Sequence, residues 1–236
     1  MVSVFRCLAV DVDGTLTDER GLIRHEVVEA LERLAERGVH VVLVSGNAYP
    51  LLHALAYYLP VTKLVVAENG GVVGYRSRYR LLGSEGDGEE IRRLVREELA
   101  GVLVESWQNR FRLVDMAFHP AEGLSPEEAV ERARRALEPR GFEVQYSGWA
   151  IHVHRRGVDK GAGLVEACKM LGLDPRQAIA VGDSEVDRPM LEAAGLAVAV
   201  GNAPRELREA ADIVTREGYY RGFLEALQLL EEGGYI

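Results

Sequence analysis

"AVDVDGTLTD", residues 9–18, ends an apolar run on two aspartates one residue apart. Aspartate is depleted in strands, and two neighbouring carboxylates repel unless positive charge lies between them. Residues i and i+2 of a strand share a face, so Asp11 and Asp13 would sit together where the first strand ends. Gly14 allows a sharp turn there, and Thr15 adds a hydroxyl. Open parallel sheets place their sites at the carboxyl ends of strands. Either aspartate alone reads as a turn cap; the other strand ends decide whether the pair does chemistry.

Strand and helix patterns alternate outward from this stretch. "VFRCLAVDVD" (4–13) is a buried strand. "HEVVEALERLAERG" (25–38) is an amphipathic helix with Val28, Leu31, Leu34 and Ala35 on one side and Gly38 as its stop. "VHVVLVSGN" (39–47) is a second strand, "YPLLHALAYYL" (49–59) a helix, and "KLVVAENGG" (63–71) a third strand ending in a turn. The pattern returns after residue 157, with helices at 160–172, 187–195 and 203–211 between strands at 178–183 and 196–202. Apolar strands alternating with helices imply a doubly wound α/β fold, a Rossmann-like parallel sheet covered on both faces.

The middle differs. "GSEGDGEE" (83–90) is polar and glycine-rich, a boundary signal. It is followed by helix 89–99, strands 101–107 and 112–118, helix 125–137, and strands 141–147 and 149–154. Ser125, Pro126 and Glu128 open the second of these helices as a capping box. The αββαββ order predicts an antiparallel sheet with helices on one face. The expected organisation is a core of 1–83 and 157–236 carrying an inserted α+β domain at 84–156, with hinges near 83–88 and 156–158.

The chain has 236 residues, 47% of them hydrophobic, and a formal net charge of −9. That acidity, with no basic stripe carrying interleaved aromatics, argues against nucleic acid. No apolar run approaches the roughly 18 residues that span a bilayer, and the start lacks the basic region and cleavage site of a signal peptide. The expectation is a cytoplasmic protein without a membrane partner; self-association as a homodimer is left open. Cys7 and Cys168 read as buried small hydrophobes. Of the 28 basic residues only Lys63, Lys160 and Lys169 are lysines, so each lysine draws attention.

Strand 2 ends in Ser45, Gly46 and Asn47, whose hydroxyl and backbone N–H groups suit an anionic oxygen. "GDSEVD" (182–187) ends another strand with Asp183 and Asp187, where a second carboxylate pair would meet the first. Lys160 opens a helix, an electrostatically poor place for a cation, unless a compact ammonium is wanted for a phosphoryl oxygen. Four converging aspartates carry −4; Mg²⁺ and Lys160 supply +3, leaving about one proton, which Asp13 would hold as a general acid. An all-oxygen donor set suits Mg²⁺ rather than Zn²⁺.

"DVDGTLTD", "VVLVSGN", Lys160 and "GDSEVD" together resemble the four ordered motifs of the haloacid dehalogenase superfamily of phosphatases. The αββαββ insertion resembles the cap of its type IIB (C2B) members. "VVAENGG", "SGWAIHV", "VDKGAGL" and "AVAVGNAPRELREAADIVT" are similar to the archaeal-type phosphoglycolate phosphatase family. The resemblance implies that Asp11 attacks phosphorus, forming an aspartyl-phosphate, while Asp13 protonates the leaving alcohol and then activates water. It implies Mg²⁺ held by Asp11, the backbone carbonyl of Asp13 and Asp183, and by Asp187 directly or through water, with Ser45, Gly46 and Lys160 on the phosphoryl oxygens. The implied substrate is a small phosphomonoester, 2-phosphoglycolate first, a sugar phosphate or phosphoglycerate as the alternative.

One departure stands out. The family usually reads "GDSxND", and Val186 replaces the asparagine, which puts the orientation of Asp187 and some metal affinity in question. His152 and His154 share a strand face that should overlook the site, so His152 is a candidate substrate contact; no third ligand is spaced to make them a zinc site. Arg110 and Arg112, in a hairpin at 109–112, have the fork to meet a substrate carboxylate bidentately but in so arginine-rich a chain read first as surface residues. Trp107 and Trp149 read as packing rather than a binding platform. Asn202 would orient Lys160 or a motif loop, or only end a strand. Two rivals remain. A phospho-acceptor signalling module shares aspartate, Mg²⁺ and lysine but has no use for Asp13 or the insertion; a silent scaffold has no use for a complete set of chemical positions.

Overall fold

The computed structural model describes residues 5–236, so Val4, at the head of the expected first strand, lies outside them. In chain order the elements are β1 (Cys7–Asp11), α1 (His25–Glu36), β2 (His40–Val44), α2 (Tyr49–Tyr58), β3 (Leu64–Ala67), β4 (Val72–Tyr75) and β5 (Arg78–Leu81). Next come α3 (Asp87–Glu98), β6 (Leu103–Glu105), β7 (Met116–Pro120), α4 (Pro126–Leu137), β8 (Phe142–Tyr146) and β9 (Ile151–Arg155). The chain closes with α5 (Lys160–Leu171), β10 (Ala178–Gly182), α6 (Arg188–Ala193), β11 (Leu196–Ala199), α7 (Arg205–Ala210), β12 (Ile213–Val214) and α8 (Tyr219–Glu232).

The large sheet runs β12-β11-β10-β1-β2-β3-β4-β5. The first six strands in that order pair in parallel. The period of two sends alternate residues to opposite layers. Leu8 and Val10 of β1, with Val41, Leu43, Val65, Ile179 and Val181, pack on α1, α2 and α8. Cys7 and Ala9, with Val42, Val44, Val66, Ala178 and Ala180, pack on α5, α6 and α7. The alanine-rich second face lets α5 and α6 approach closely. Both layers therefore exclude water from the strands, which is why β1 is buried at every position.

Two sequence expectations need correction. The sheet is not parallel throughout: β4 pairs antiparallel with β3, and β5 antiparallel with β4. Only two residues, Arg76 and Ser77, join them, a connection too short for a parallel crossover, and Arg76 takes a left-handed φ of 56° in that turn. The buried face of α1 is Val27, Ala30, Leu31 and Leu34 rather than the predicted set; Ala35 is exposed and Val28 half-buried.

Between β5 and α5 lies a second, antiparallel sheet, β6-β7-β9-β8, in αββαββ order. Met116 and Phe118, Phe142 and Val144, and Ile151 and Val153 pack with Ile91, Leu94, Ala129 and Ala133 of α3 and α4. Both helices thus cover one face, and the alternate residues, His152 among them, take the other. The segments entering and leaving this sheet are bound together: Arg155 donates to Asp87 Oδ1 through Nη2 at 2.6 Å and Nε at 3.1 Å. No helix among the described residues is long and apolar enough to cross a membrane.

Candidate active site

Strand β1 sits between β2 and β10, where the winding direction of the sheet reverses, and its carboxyl end is where such sheets open a crevice. Asp11 ends β1 and is 5% exposed. The chain then folds back sharply: the N–H groups of Leu16 and Thr17 both donate to the carbonyl of Val12. Gly14 has φ +96°, and a Cβ there would stand 2.3 Å from Asp183 Oδ2. Glycine is required on both counts.

Lys160, the first residue of α5, is 2% exposed. Its Nζ donates to Asp11 Oδ1 at 2.6 Å and to Asp187 Oδ1 at 2.5 Å. The other oxygen of Asp187 accepts from the N–H of Asp183 at 3.0 Å and from the N–H and Oγ of Ser184, both at 2.9 Å. The loop's own donors therefore orient Asp187 without any help from residue 186. Val186 is 8% exposed and borders the cavity instead. Asp183 receives Thr15 Oγ1 at 2.9 Å and Asn202 Nδ2 at 3.0 Å. Asn202 also donates to the Gly14 carbonyl at 3.1 Å and accepts from Tyr219 N–H at 2.7 Å. It holds the motif loops to one another.

Carboxylate oxygens of Asp11, Asp183 and Asp187 lie within 4.8 Å of one another, and no other such cluster occurs among the described residues. This all-oxygen donor set fits a hard divalent cation such as Mg²⁺. The side chain of Asp13 is outside the group; Asp13 Oδ2 accepts from Asn47 Nδ2 at 2.8 Å. Electrostatics agree with a site short of positive charge. Burial, then the neighbouring carboxylates, raise the Asp11 pKa against the pull of Lys160. Burial and Asp187 bring Asp183 to about 7. Asp13 is exposed at the cavity, yet partial desolvation by the surrounding site still raises it, opposed by Lys160, Asn47 and Ser45. For Lys160 burial works the other way, yet Asp11 and Asp187 outweigh it and hold the ammonium charged.

Ser45 follows β2 and is 1% exposed. Its Oγ accepts from the N–H and Nδ2 of Asn47, both at 3.0 Å. A cavity of about 380 Å³ opens over Asp11, Asp13, Gly46, Lys160, His152 and Val186. Ser45, Asp183 and Asp187 adjoin these residues in the chain or through hydrogen bonds without lining the cavity themselves.

The second sheet closes the far side, with several departures from expectation. Residues 107–111 form a 3₁₀ turn, not a hairpin. Ser106 caps it and the following strand starts only at Met116. Arg112 is 8% exposed, not a surface residue. Its Nη1 donates to Asp115 Oδ2 at 2.7 Å and its Nη2 to the Gly46 carbonyl at 2.6 Å. Asp115 Oδ2 also pairs with His152 Nδ1 at 2.8 Å. That bond fixes the imidazole and leaves Nε2 as its remaining polar atom. His154 shares the face but is fully buried and away from the cavity. Trp107 and Trp149 are 59% and 68% exposed and line the cavity mouth rather than packing.

Glu68 ties this side to the core. Its Oε2 accepts from the N–H groups of Leu113, Val114 and Asp115 at 2.9, 3.0 and 3.3 Å. Glu68 and Asn69 both adopt left-handed backbone, φ 52° and 51°, a conformation that costs a non-glycine residue on the order of 1 kcal/mol. Asn69 Nδ2 reaches Asp115 Oδ2 at 3.3 Å. Glu68 and Asn69 fall in the "VVAENGG" stretch and Arg112 in the 109–112 stretch, but the sequence does not mark any of them, or Asp115, as joining the two sheets.

Asp115 makes an acid-stability prediction. Burial alone would raise its pKa, but His152 and Arg112 prevail and lower it from 3.8 to about 2. A depressed carboxylate stabilises the fold above its unfolded pKa, and that stability is lost as pH falls through the folded value. Wild type should exceed Asp115→Asn by roughly 2 kcal/mol from this source at pH 6. The gap should narrow as pH falls from about 4 towards 2. Urea unfolding across that range measures it, and a gap independent of pH would refute the assignment.

With this geometry in hand, relatives are informative. The family model described as haloacid dehalogenase-like hydrolase matches residues 8–97 and 123–227. The phosphoglycolate phosphatase of Methanoculleus marisnigri is 38% identical, the match covering 95% of this chain and 96% of that protein. The phosphoglycolate phosphatase of Pyrobaculum neutrophilum is 40% identical, over 97% of each. Among solved structures, Thermoplasma acidophilum 0175 superposes with a TM-score of 0.86 at 28% identity, covering 97% of this chain and 99% of that one.

Proposed function

The chain belongs to the haloacid dehalogenase-like hydrolases, and we propose that it is a phosphomonoesterase that converts 2-phosphoglycolate to glycolate and inorganic phosphate. One observation carries the chemistry: a buried carboxylate, Asp11, held by a buried lysine at 2.6 Å, at the floor of a cavity that Asp13 also faces. The substrate is supported by full-length relatives that carry the name phosphoglycolate phosphatase.

In this reading Asp11 uses the oxygen not engaged by Lys160 to bond phosphorus. The bond from phosphorus to the alcohol oxygen breaks, and that oxygen takes the proton of Asp13. Asp13, now a carboxylate, then takes a proton from the water that attacks the aspartyl-phosphate, releasing phosphate and restoring Asp11. Lys160, the hydroxyl of Ser45 and the N–H of Gly46 hold phosphoryl oxygens. His152 presents Nε2 to the substrate carboxylate. Asp11, Asp183 and Asp187 would hold Mg²⁺, with the Asp13 backbone carbonyl as a further donor. When bound, Mg²⁺ offsets the charge developing on the phosphoryl oxygens. Residues 84–156 act as a cap over a core of 1–83 and 157–236, which confines the site to small substrates, and the enzyme works in the cytoplasm.

The test is phosphate release from phosphoglycolate, 3-phosphoglycerate, hexose phosphates and p-nitrophenyl phosphate, with Mg²⁺ and with EDTA. Turnover should need Mg²⁺, and phosphoglycolate should have the highest kcat/KM. A hexose phosphate in the lead would overturn the substrate; no Mg²⁺-dependent release from any member would overturn the reaction.

A further inference from the structure

The side-chain amides of Gln108 and Asn47 stand in series between the second sheet and Asp13, and the polarity of each is set by its neighbours. Gln108 Oε1 accepts from the Ala48 N–H at 3.1 Å and from Arg112 Nη2 at 3.3 Å. Neither group is able to accept, so that end of the amide is the oxygen. Its Nε2 is then the end that donates to Asn47 Oδ1, at 3.1 Å. With Oδ1 taken, Asn47 turns Nδ2 towards Asp13 Oδ2 at 2.8 Å and Ser45 Oγ at 3.0 Å. Oδ2 of Asp13 is thereby an acceptor, and a proton on this carboxyl group is left to Oδ1.

We propose that Gln108 is a positioning residue for the reaction: acting through Asn47, it selects the oxygen of Asp13 that carries the proton. The inference rests on the reading of Asp13 as general acid. Gln108 lies on the 107–111 turn of the inserted segment, and its partners Asn47 and Ala48 lie on the core loop beyond β2. The acid is therefore correctly oriented only while that segment is seated on the core, so proton donation is coupled to covering the substrate. Arg112, bonded to both Gln108 and the Gly46 carbonyl, anchors the same junction. Without Gln108 the Asn47 amide is free to turn over, presenting its oxygen to Asp13 Oδ2 and moving the proton to the wrong side.

Leaving-group dependence tests this. An alkoxide needs a proton to depart, whereas p-nitrophenolate does not, and kcat/KM reports the steps through phosphoryl transfer to Asp11. Gln108→Glu still accepts from Ala48 and Arg112 but gives Asn47 no donor; Gln108→Met provides neither function. In both variants kcat/KM for phosphoglycolate and ethyl phosphate should fall on the order of 10-fold further than for p-nitrophenyl phosphate, part of the 10²–10⁴ that a positioned acid supplies. Equal losses on all three substrates, as general disruption would produce, overturn the inference, as does no loss. Asp13→Asn is the reference. A leaving-group bias there without one in the Gln108 variants overturns the inference alone. No bias in Asp13→Asn overturns the reading of Asp13 and the inference with it.

Discussion

Asp11→Asn should abolish phosphate release, lowering kcat by on the order of 10⁴-fold or more, while leaving the metal-free fold at least as stable as wild type. The two halves have one cause. An amide has the size of a carboxylate but no nucleophilic anion, so the new bond to phosphorus is not made. Removing that anion also relieves the site. Burial, opposed by Lys160, and then the carboxylates of Asp187 and Asp183 raise the Asp11 pKa, and Lys160 is not left uncompensated in the variant because it keeps its bond to Asp187. For a group whose folded pKa is raised above its unfolded one, the charged form costs stability once pH exceeds the unfolded value, and a neutral side chain removes that cost. Loss of turnover with an equal or higher melting temperature in EDTA is therefore the expected pair of results. Retained turnover would end the role of Asp11, and a collapsed fold would end the account of its electrostatics. The combination is the trade expected where an active site holds charges that the fold itself does not favour.

The parts of this site readable in sequence are those built from neighbours along the chain. Asp11 and Asp13, and Asp183 and Asp187, each stand at the end of an apolar run, and strand ends collect at the switch point whatever the rest of the chain does. Lys160 was legible because it is one of three lysines among 28 basic residues. The αββαββ order was legible because each element carries its own hydrophobic period. What escaped depends on distance. Arg112 looks like any other arginine until the fold brings it to the carbonyl of Gly46, 66 residues away. Asp115 looks like a strand-edge carboxylate until His152 and Arg112 close on it. Gln108 carries no signal of its own, since its partners Ala48 and Asn47 are 60 and 61 residues distant. The β4–β5 pair escaped for a different reason: β5 is largely exposed at the sheet edge, so no burial pattern marks it. The orientation of Asp187 does not need an asparagine at position 186, because the backbone N–H groups of Asp183 and Ser184 and the Ser184 hydroxyl hold it.

Lys160→Met is the variant that separates electrostatic support of the site from its catalysis. The ammonium is buried, bonded to Asp11 and Asp187, and charged despite the desolvation that opposes it. Methionine fills comparable space with no charge, leaving those two carboxylates without their cation and with Asp183 still close by. Breaking a buried ion pair by removing one partner costs about 3–5 kcal/mol, because the other partner stays buried and uncompensated. The carboxylates have one escape, which is to take up protons, so the loss should be greatest at high pH and smaller near pH 5. They have one substitute, a divalent cation, which would bind the folded carboxylate cluster and stabilise it by mass action. Mg²⁺ should therefore raise the melting temperature of Lys160→Met more than that of wild type, without restoring turnover, because in the proposed reaction a phosphoryl oxygen would also lose its ammonium. Melting of both proteins in EDTA and in Mg²⁺, at pH 5 and pH 8, measures all of this. A variant that melts like wild type in EDTA at pH 8 would mean that the three carboxylates do not depend on Lys160. Stability restored by Mg²⁺ without activity would show that the lysine serves the fold and the phosphoryl group through the same ammonium.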